Sequence, residues 1–233
     1  MRSIVLLHLP RNHSELRLLI RSILFSTCRY VALKIVVAKP EQQQAVSREF
    51  LAHDHLVANN AVYGSRHIVR LLDSFNHHGP NGTHLCLVYE VMGPHVKSMI
   101  RLSPQCQFGD PWDRRLPKQW AKRVLRDTLR GLQVLHANGI VHGDIHPGNI
   151  LFAVKLASST VDPPERLEQH PDQESPLRRR DGKIDPWAPE YLLEPMSLHD
   201  YTSLDLNPLV KISDLGGGEN ISACMSCSVL VLG

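Results

Sequence analysis

No glycine precedes Gly64, no apolar run approaches the roughly 18 residues of a membrane span, and neither sign of charge dominates this 233-residue chain. With 26 Lys+Arg against 23 Asp+Glu the formal net charge is +3, so composition carries no electrostatic footprint for direct nucleic-acid binding or for a membrane surface. Gly (14) and Pro (16) are too few for a low-complexity chain. The apolar start, Met1 to Pro10, is interrupted by His8 and lacks a small-residue cleavage site, which argues against a secretory signal. The five cysteines are odd in number and scattered, in a chain too long to need disulfide staples, so a reducing intracellular compartment is expected. Cys224 and Cys227 form one C-x-x-C pair, but no second pair completes a tetrahedral zinc site. No internal repeat is present. What remains is a globular protein, 42% apolar, whose chemistry has to come from motifs.

From Arg29 to Val37 the run RYVALKIVV is rich in β-branched residues and predicts a strand with one lysine, Lys34, inside it. After Pro40, the spacing of Ala45, Glu49, Ala52 and Leu56 predicts a helix over 41–58 that carries Glu49. The apolar runs HIVRLLDSF and THLCLVYEVM, separated by the turn-forming residues Asn76 to Gly82, predict a hairpin. Lys118 to Asn138 sets Trp120, Val124, Leu125, Thr128, Leu132 and Leu135 on one face of a long helix that ends before Gly139. Two brief strands, Ile140-Val141 and Ile150 to Phe152, then flank a polar loop with His142, Asp144, His146 and Asn149. Polar groups gathered in a loop between buried strands suggest a site. Residues 155–209 are rich in Pro and charge without apolar periodicity and predict an exposed or disordered insertion, in which Arg178 to Arg180 is solvated surface. Val210 to Gly218 predicts a short strand entering a glycine turn with Asp214 at its mouth. The stretch Leu16 to Cys28 is apolar and helix-compatible.

In chain order the unusual residues are a lysine in a strand, a glutamate on the next helix, an Asp with an Asn five positions on, and an Asp before a glycine turn. Phosphoryl transfer asks for such a set: a cation for the polyphosphate, a carboxylate to fix that cation, a base for the attacking hydroxyl, and oxygen ligands for magnesium. Singly, each residue reads as well as an exposed strand lysine, an exposed helix glutamate or a turn former. Together they resemble the eukaryotic protein kinase family: Val31 to Ile35 (VALKI) looks like its V-A-I-K strand, His142 to Asn149 (HGDIHPGN) like its H-R-D-L-x-x-x-N loop, and Asp214-Leu215-Gly216 stands where D-F-G belongs. The resemblance covers residues 29–216, and LVYEVMGPHV, IVHGDIHPGNILF and KISDLG are most similar to SR-protein kinases of fungal type.

The resemblance implies an α+β, two-lobed protein kinase-like fold with a small antiparallel-sheet lobe and an incomplete helical lobe. Its parts are an atypical segment over 1–28 in place of the glycine-rich loop region, small lobe and hinge over 29–93, and the start of the large lobe over 94–154. The insertion over 155–209 and a metal-binding turn with an atypical tail over 210–233 follow. It implies ATP and Mg2+ as cofactors. Lys34 would hold the α and β phosphates and pair with Glu49, Asp144 would accept the substrate hydroxyl's proton, and Asn149 and Asp214 would bind magnesium. Tyr89 would guard the back of the adenine pocket, and backbone groups of Glu90 and Met92 would face adenine. The implied substrates are proteins with Ser/Arg-rich segments, and the implied compartments are cytoplasm and nucleus.

Against that family's pattern, no G-x-G-x-x-G loop precedes Lys34, and the expectation is of a chain truncated at both ends. Gly143 replaces the arginine that grips a phosphorylated activation loop in many members, and His146 replaces the lysine expected on the transferred phosphate. Ala188-Pro189-Glu190 spells A-P-E but precedes Asp214, so it is a coincidence within the insertion. Two other readings stand beside an active protein kinase: an inactive pseudokinase or fragment serving as a binding scaffold, and a small-molecule phosphotransferase of the aminoglycoside and choline kinase type, whose loop HGDIHPGN also resembles.

Overall fold

The computed structural model describes residues 7–8, 15–24, 27–36, 40–59, 65–79, 82–154, 174–176, 191–193, 198, 202, 208–215 and 219–220. The Arg178 to Arg180 run, Ala188 to Glu190 and the Cys224/Cys227 pair lie outside them. The chain forms two compact units, residues 1–43, 71–91 and 156–197 in one and 44–70, 92–155 and 198–233 in the other.

The first unit is built on an antiparallel sheet of β1 (Leu7–His8), β2 (Glu15–Leu24), β3 (Thr27–Val36), β4 (Leu71–Gly79) and β5 (Gly82–Tyr89). The strand order is β1-β2-β3-β5-β4. The stretch expected to be helix-compatible is mostly strand: β2 pairs with β3 from Glu15↔Val36 to Leu24↔Thr27. A short apolar run fits helix or strand equally well, and the long ladder with β3 decides it. The β4–β5 hairpin is also tighter than its composition suggests, because Asn76, His77 and His78 pair with Leu85, His84 and Thr83 and leave the turn at Gly79↔Gly82.

On β3 the period of two is sharp. Val31 and Leu33, with Ile35 beside them, pack against Cys86 and Val88 of β5 as an apolar cluster. Residues directly opposite on paired strands share a face. The pairings Ala32↔Tyr89 and Lys34↔Leu87 therefore put Lys34 on the other face, together with Tyr89. Lys34 is 3% exposed, so it is not an edge-strand lysine facing water.

The second unit holds most of α1 (Pro40–Ala58), then β6 (Met92–His95), α2 (Val96–Leu102), a hairpin of β7 (Gln107–Phe108) and β8 (Asp110–Arg114), and α3 (Lys118–Ala137). Next come β9 (Ile140–Val141) and β10 (Ile150–Ala153). In the first unit β11 (Glu174–Pro176) pairs with β12 (Tyr191–Leu193). Back in the second, β13 (Val210–Ile212) joins the sheet β13-β10-β6, and β14 (Glu219–Asn220) pairs with β9. Within the predicted insertion Leu198 and Thr202 are buried.

The short helix α2 starts at an unusual cap, His95, whose Nδ1 accepts from the Ser98 N–H at 3.0 Å. Its last carbonyls are closed by Arg114, which donates Nη1 to Arg101 O at 2.7 Å and to Ile100 O at 3.2 Å. One core cluster joins Val96 and Met99 of α2, Trp120 and Val124 of α3, and Ile150, Phe152 and Val210 of the sheet. A second joins Leu56 of α1 with Ile68, Leu135, Ile140 and Leu215.

The inner face of α3 differs from the sequence expectation. Leu125, expected inside, is exposed, while Asp127 and Gly131 take inner positions beside Trp120, Val124, Thr128 and Leu135. Helix α3 ends where expected: Gly139 has φ +69, and its N–H donates to His136 O at 3.0 Å. Asp127 is fully buried and accepts from Arg123 Nε at 2.8 Å. Its Oδ2 lies 3.9 Å from Nδ1 of His67, which is also buried and whose Nε2 accepts from Arg66 Nε at 3.3 Å.

Burial lowers the pKa of His67, outweighing the attraction of Asp127, and Arg66 and Arg130 push it the same way. With the folded value below the ordinary 6.5, the unfolded chain takes up the proton first. Stability is therefore full above 6.5 and declines as pH falls from there toward the depressed value, by at most about 1.4 kcal/mol per pH unit for this one proton. Urea unfolding followed from pH 7.5 downward would show the decline, and a flat profile through the histidine range would contradict it.

Candidate active site

The loop between β9 and β10 is fixed by three of its own side chains. His142 is buried; its Nδ1 accepts the Asp144 N–H at 3.2 Å, so its Nε2 carries the proton and donates to Ser213 O at 3.0 Å. Burial lowers the His142 pKa below 6.5, against the raising influence of the Ser213 carbonyl and of the Asp214 and Asp144 carboxylates. Gly143, at φ +77, lets the chain turn between His142 and Asp144. The arginine of the family pattern would carry a strain cost here that glycine avoids.

Asn149 is buried at the loop's far end and reaches back, donating Nδ2 to Asp144 O at 3.0 Å and to Asp144 Oδ2 at 3.3 Å. The Asp144 side chain is thereby oriented while remaining 64% exposed, as a group that meets a substrate must be. His146 sits beside it, half exposed, with Nε2 at 3.5 Å from Asp144 Oδ2. Its Nδ1 accepts the Gly148 N–H at 2.9 Å, which leaves Nε2–H as the ring's outward donor.

Asp214 reaches the same place by way of the sheet. The pairing Ile150↔Ile212 brings the next residues together: Ser213 donates its N–H and its Oγ to Asn149 O, at 2.9 and 3.1 Å. Asp214 follows with φ +68, a left-handed backbone that costs a non-glycine residue of order 1 kcal/mol and that Asp and Asn bear best. Leu215 is fully buried in the second core cluster and pins that turn from behind.

Asp144, His146, Asn149 and Asp214 thus come together in the second unit. Glu49 belongs to the same unit and is 2% exposed, which overturns the reading of it as an ordinary exposed helix residue. Met92 is buried on β6 and pairs with Ala153. Lys34, Tyr89 and Glu90 belong to the first unit. Lys34 and Glu49 are both engaged by polar or charged groups, as a buried charge must be. Ser213 was not singled out in the sequence; its signal was the β10–β13 register, which no single-residue pattern carries. The oxygen donors of Asn149 and Asp214 are of the hard type magnesium takes, and their small number suits an ion that keeps waters and phosphate oxygens in its shell.

A match to the protein kinase domain family covers residues 20–160, more than half of the chain, and the chain belongs to that family. Within it the chain is SR-protein kinase-like. It is 29% identical over 174 residues to the serine/threonine-protein kinase SKY1 of Saccharomyces cerevisiae, covering 68% of this chain and 22% of that one. It is 29% identical over 200 residues to the serine/threonine-protein kinase SRPK of Physarum polycephalum, covering 81% and 43%. SRSF protein kinase 3 of Homo sapiens matches at 33% over 129 residues, 54% of this chain and 21% of that one. The chain thus spans less than half the length of these relatives. A crystal structure of a kinase domain shares the fold at TM-score 0.54 and 19% identity, covering 95% of this chain and 55% of that one.

Proposed function

We propose that this chain is an ATP-dependent protein serine/threonine kinase of SR-protein kinase type, moving the γ-phosphate of Mg·ATP to hydroxyls in Ser/Arg-rich protein segments, in cytoplasm and nucleus. The observation that carries this reading is the Asp144 carboxylate, exposed to solvent yet oriented by the buried Asn149 amide, in the loop that Ser213 ties to the Asp214 turn. Asp144 would align the substrate hydroxyl and take its proton as that oxygen bonds to the γ-phosphorus and the bond from the γ-phosphorus to the bridging oxygen breaks, ADP leaving. Asn149 spends its amide N–H groups on Asp144, which directs its carbonyl oxygen as the group to meet a cation beside Asp214. Bound Mg2+ would neutralise polyphosphate charge there. Lys34 would hold the α and β phosphates and pair with Glu49, and Tyr89, Glu90 and Met92 would frame adenine. His146 would meet the transferred phosphate with a single directed Nε2–H, in place of the three donors of a lysine ammonium.

The glycine-free segment ahead of Lys34 favours a second reading, a scaffold that binds protein without turnover, because it lacks the glycines that let backbone N–H groups cradle phosphates in the family's pattern. Isothermal titration with Mg·ATP, followed by transfer of labelled γ-phosphate to a Ser/Arg-repeat peptide, tests both. Transfer by the intact chain supports the kinase and eliminates the scaffold; undetectable Mg·ATP binding overturns the kinase.

A further inference from the structure

Strand β6, which begins at Met92, is irregular at the point where it is most closely covered. The pairs Ala153↔Met92 and Leu151↔His95 leave two residues of β6, Gly93 and Pro94, opposite the single Phe152 of β10, a β-bulge. Pro94 brings no N–H to that ladder. Gly93 is buried, and a Cβ at its position would lie 2.6 Å from Thr202 Oγ1, 3.1 Å from Phe152 O and 3.2 Å from Val154 Cγ1. Its φ is not left-handed, so space rather than backbone conformation calls for glycine here. Thr202 is itself buried, forms an antiparallel bridge with Val154, and donates its hydroxyl to Leu198 O at 2.9 Å. That bond and the stiffness of a β-branched side chain fix the oxygen that faces Gly93. All of these residues belong to the second unit.

We infer that Thr202 is a positioning residue for nucleotide: packed on the bulge at Gly93, it sets the course of β6 and with it the backbone of Met92, a role that rests on the proposed function, in which Met92 backbone groups face adenine. A bulge bends its strand and interrupts the ladder that would otherwise hold it, so whatever covers the bulge decides where the neighbouring residues point. The two other close neighbours of Gly93 belong to β10 and to the residue that follows it. Thr202 alone comes from the far end of the stretch expected to be an exposed insertion, and it makes the closest approach of the three.

A double-mutant cycle on the full chain tests this, with Mg·ATP binding read by isothermal titration and steady-state constants measured on the Ser/Arg-repeat peptide. Gly93→Ala drives the new methyl into Thr202 Oγ1 and should weaken Mg·ATP binding roughly tenfold. Thr202→Ala removes that oxygen and should weaken binding roughly threefold by uncovering the bulge, whereas Thr202→Ser keeps the oxygen and should bind as the parent does. In the double variant Gly93→Ala/Thr202→Ala the methyl takes the vacated space, and binding should recover to within about threefold of the parent. The loss should fall on the KM for ATP with kcat and the KM for peptide little changed, a split that a smaller folded fraction would not produce. Single effects that multiply in the double variant overturn the proposal, as does a change confined to kcat. If Gly93→Ala does not fold, Thr202→Ala against Thr202→Ser decides, and equal affinities overturn it. A parent that binds Mg·ATP with an affinity Gly93→Ala leaves unchanged overturns the role of Thr202 alone; a parent that binds no Mg·ATP overturns the kinase reading as well.

Discussion

Replacing Asp144 by Asn is expected to lower the rate of phosphoryl transfer by a factor of about 10²–10⁴ while Mg·ATP still binds. Asn is nearly the same shape, and its side-chain oxygen can still accept from Asn149 Nδ2, which lies 3.3 Å from Asp144 Oδ2. The loop therefore keeps its course and only the proton acceptor is lost. The effect should fall on kcat with little change in the KM for ATP, the pattern of an interaction made at the transition state. Asp214→Asn makes the complementary test. Asn tolerates the left-handed backbone at φ +68 as Asp does, so that substitution removes the carboxylate charge from the proposed cation site without adding strain. It should raise the Mg2+ concentration needed for half-maximal transfer. Steady-state assays on the Ser/Arg-repeat peptide measure both, and turnover retained in Asp144→Asn would remove Asp144 from the catalytic role.

Gly131→Ala should destabilise the second unit even though alanine is the better helix former by about 1 kcal/mol. A Cβ at that position would lie 2.7 Å from Ile212 Cδ1 and 2.9 Å from the backbone oxygen of His67. The isoleucine tip can move, but the carbonyl belongs to the turn Ser65–His67, which is tied to the sheet through the Val69 N–H to Ile212 O bond of 2.8 Å. Overpacking against backbone should cost about 2 kcal/mol net, or a fall of roughly 4–8 °C in Tm for a chain of this size. Calorimetry on the two proteins decides it. A variant as stable as the parent would mean that propensity governs this position and that α3 has room to shift.

The parts legible in the sequence were those in which local chemistry and tertiary environment agree. Strand β3, helix α3 with its stop at Gly139, and the polar loop between Ile140-Val141 and Ile150-Leu151 all follow from periodicity and turn residues. Other parts depended on partners distant in the chain. Strand β2 is apolar enough for either regular structure and is settled by pairing with β3. Helix α2 is only seven residues long, capped by a histidine and closed by Arg114 from the next hairpin, a combination with no local signature. Leu125 fitted the apolar stripe of α3 by type, yet the helix presents Gly131 and Asp127 to His67, and that facing leaves Leu125 outward. The candidate site residues Lys34 and Glu49 stood out by order, whereas their burial is a property of the folded chain alone.

The join between Asn149 and Ser213 has a consequence for how this chain can change. The Asp144 loop and the Asp214 turn are separated by more than fifty residues of sequence but clasped by β10 against β13, by the Ala153 N–H to Leu209 O bond of 2.9 Å and by the bridge between Val154 and Thr202. A segment whose two ends are held by such a clasp can be lengthened cheaply, since closure entropy grows only with the logarithm of length, about 0.6 kcal/mol per doubling. Evolution can rewrite that intervening stretch, or an engineer can splice a reporter domain into it, and the two carboxylates would keep their separation.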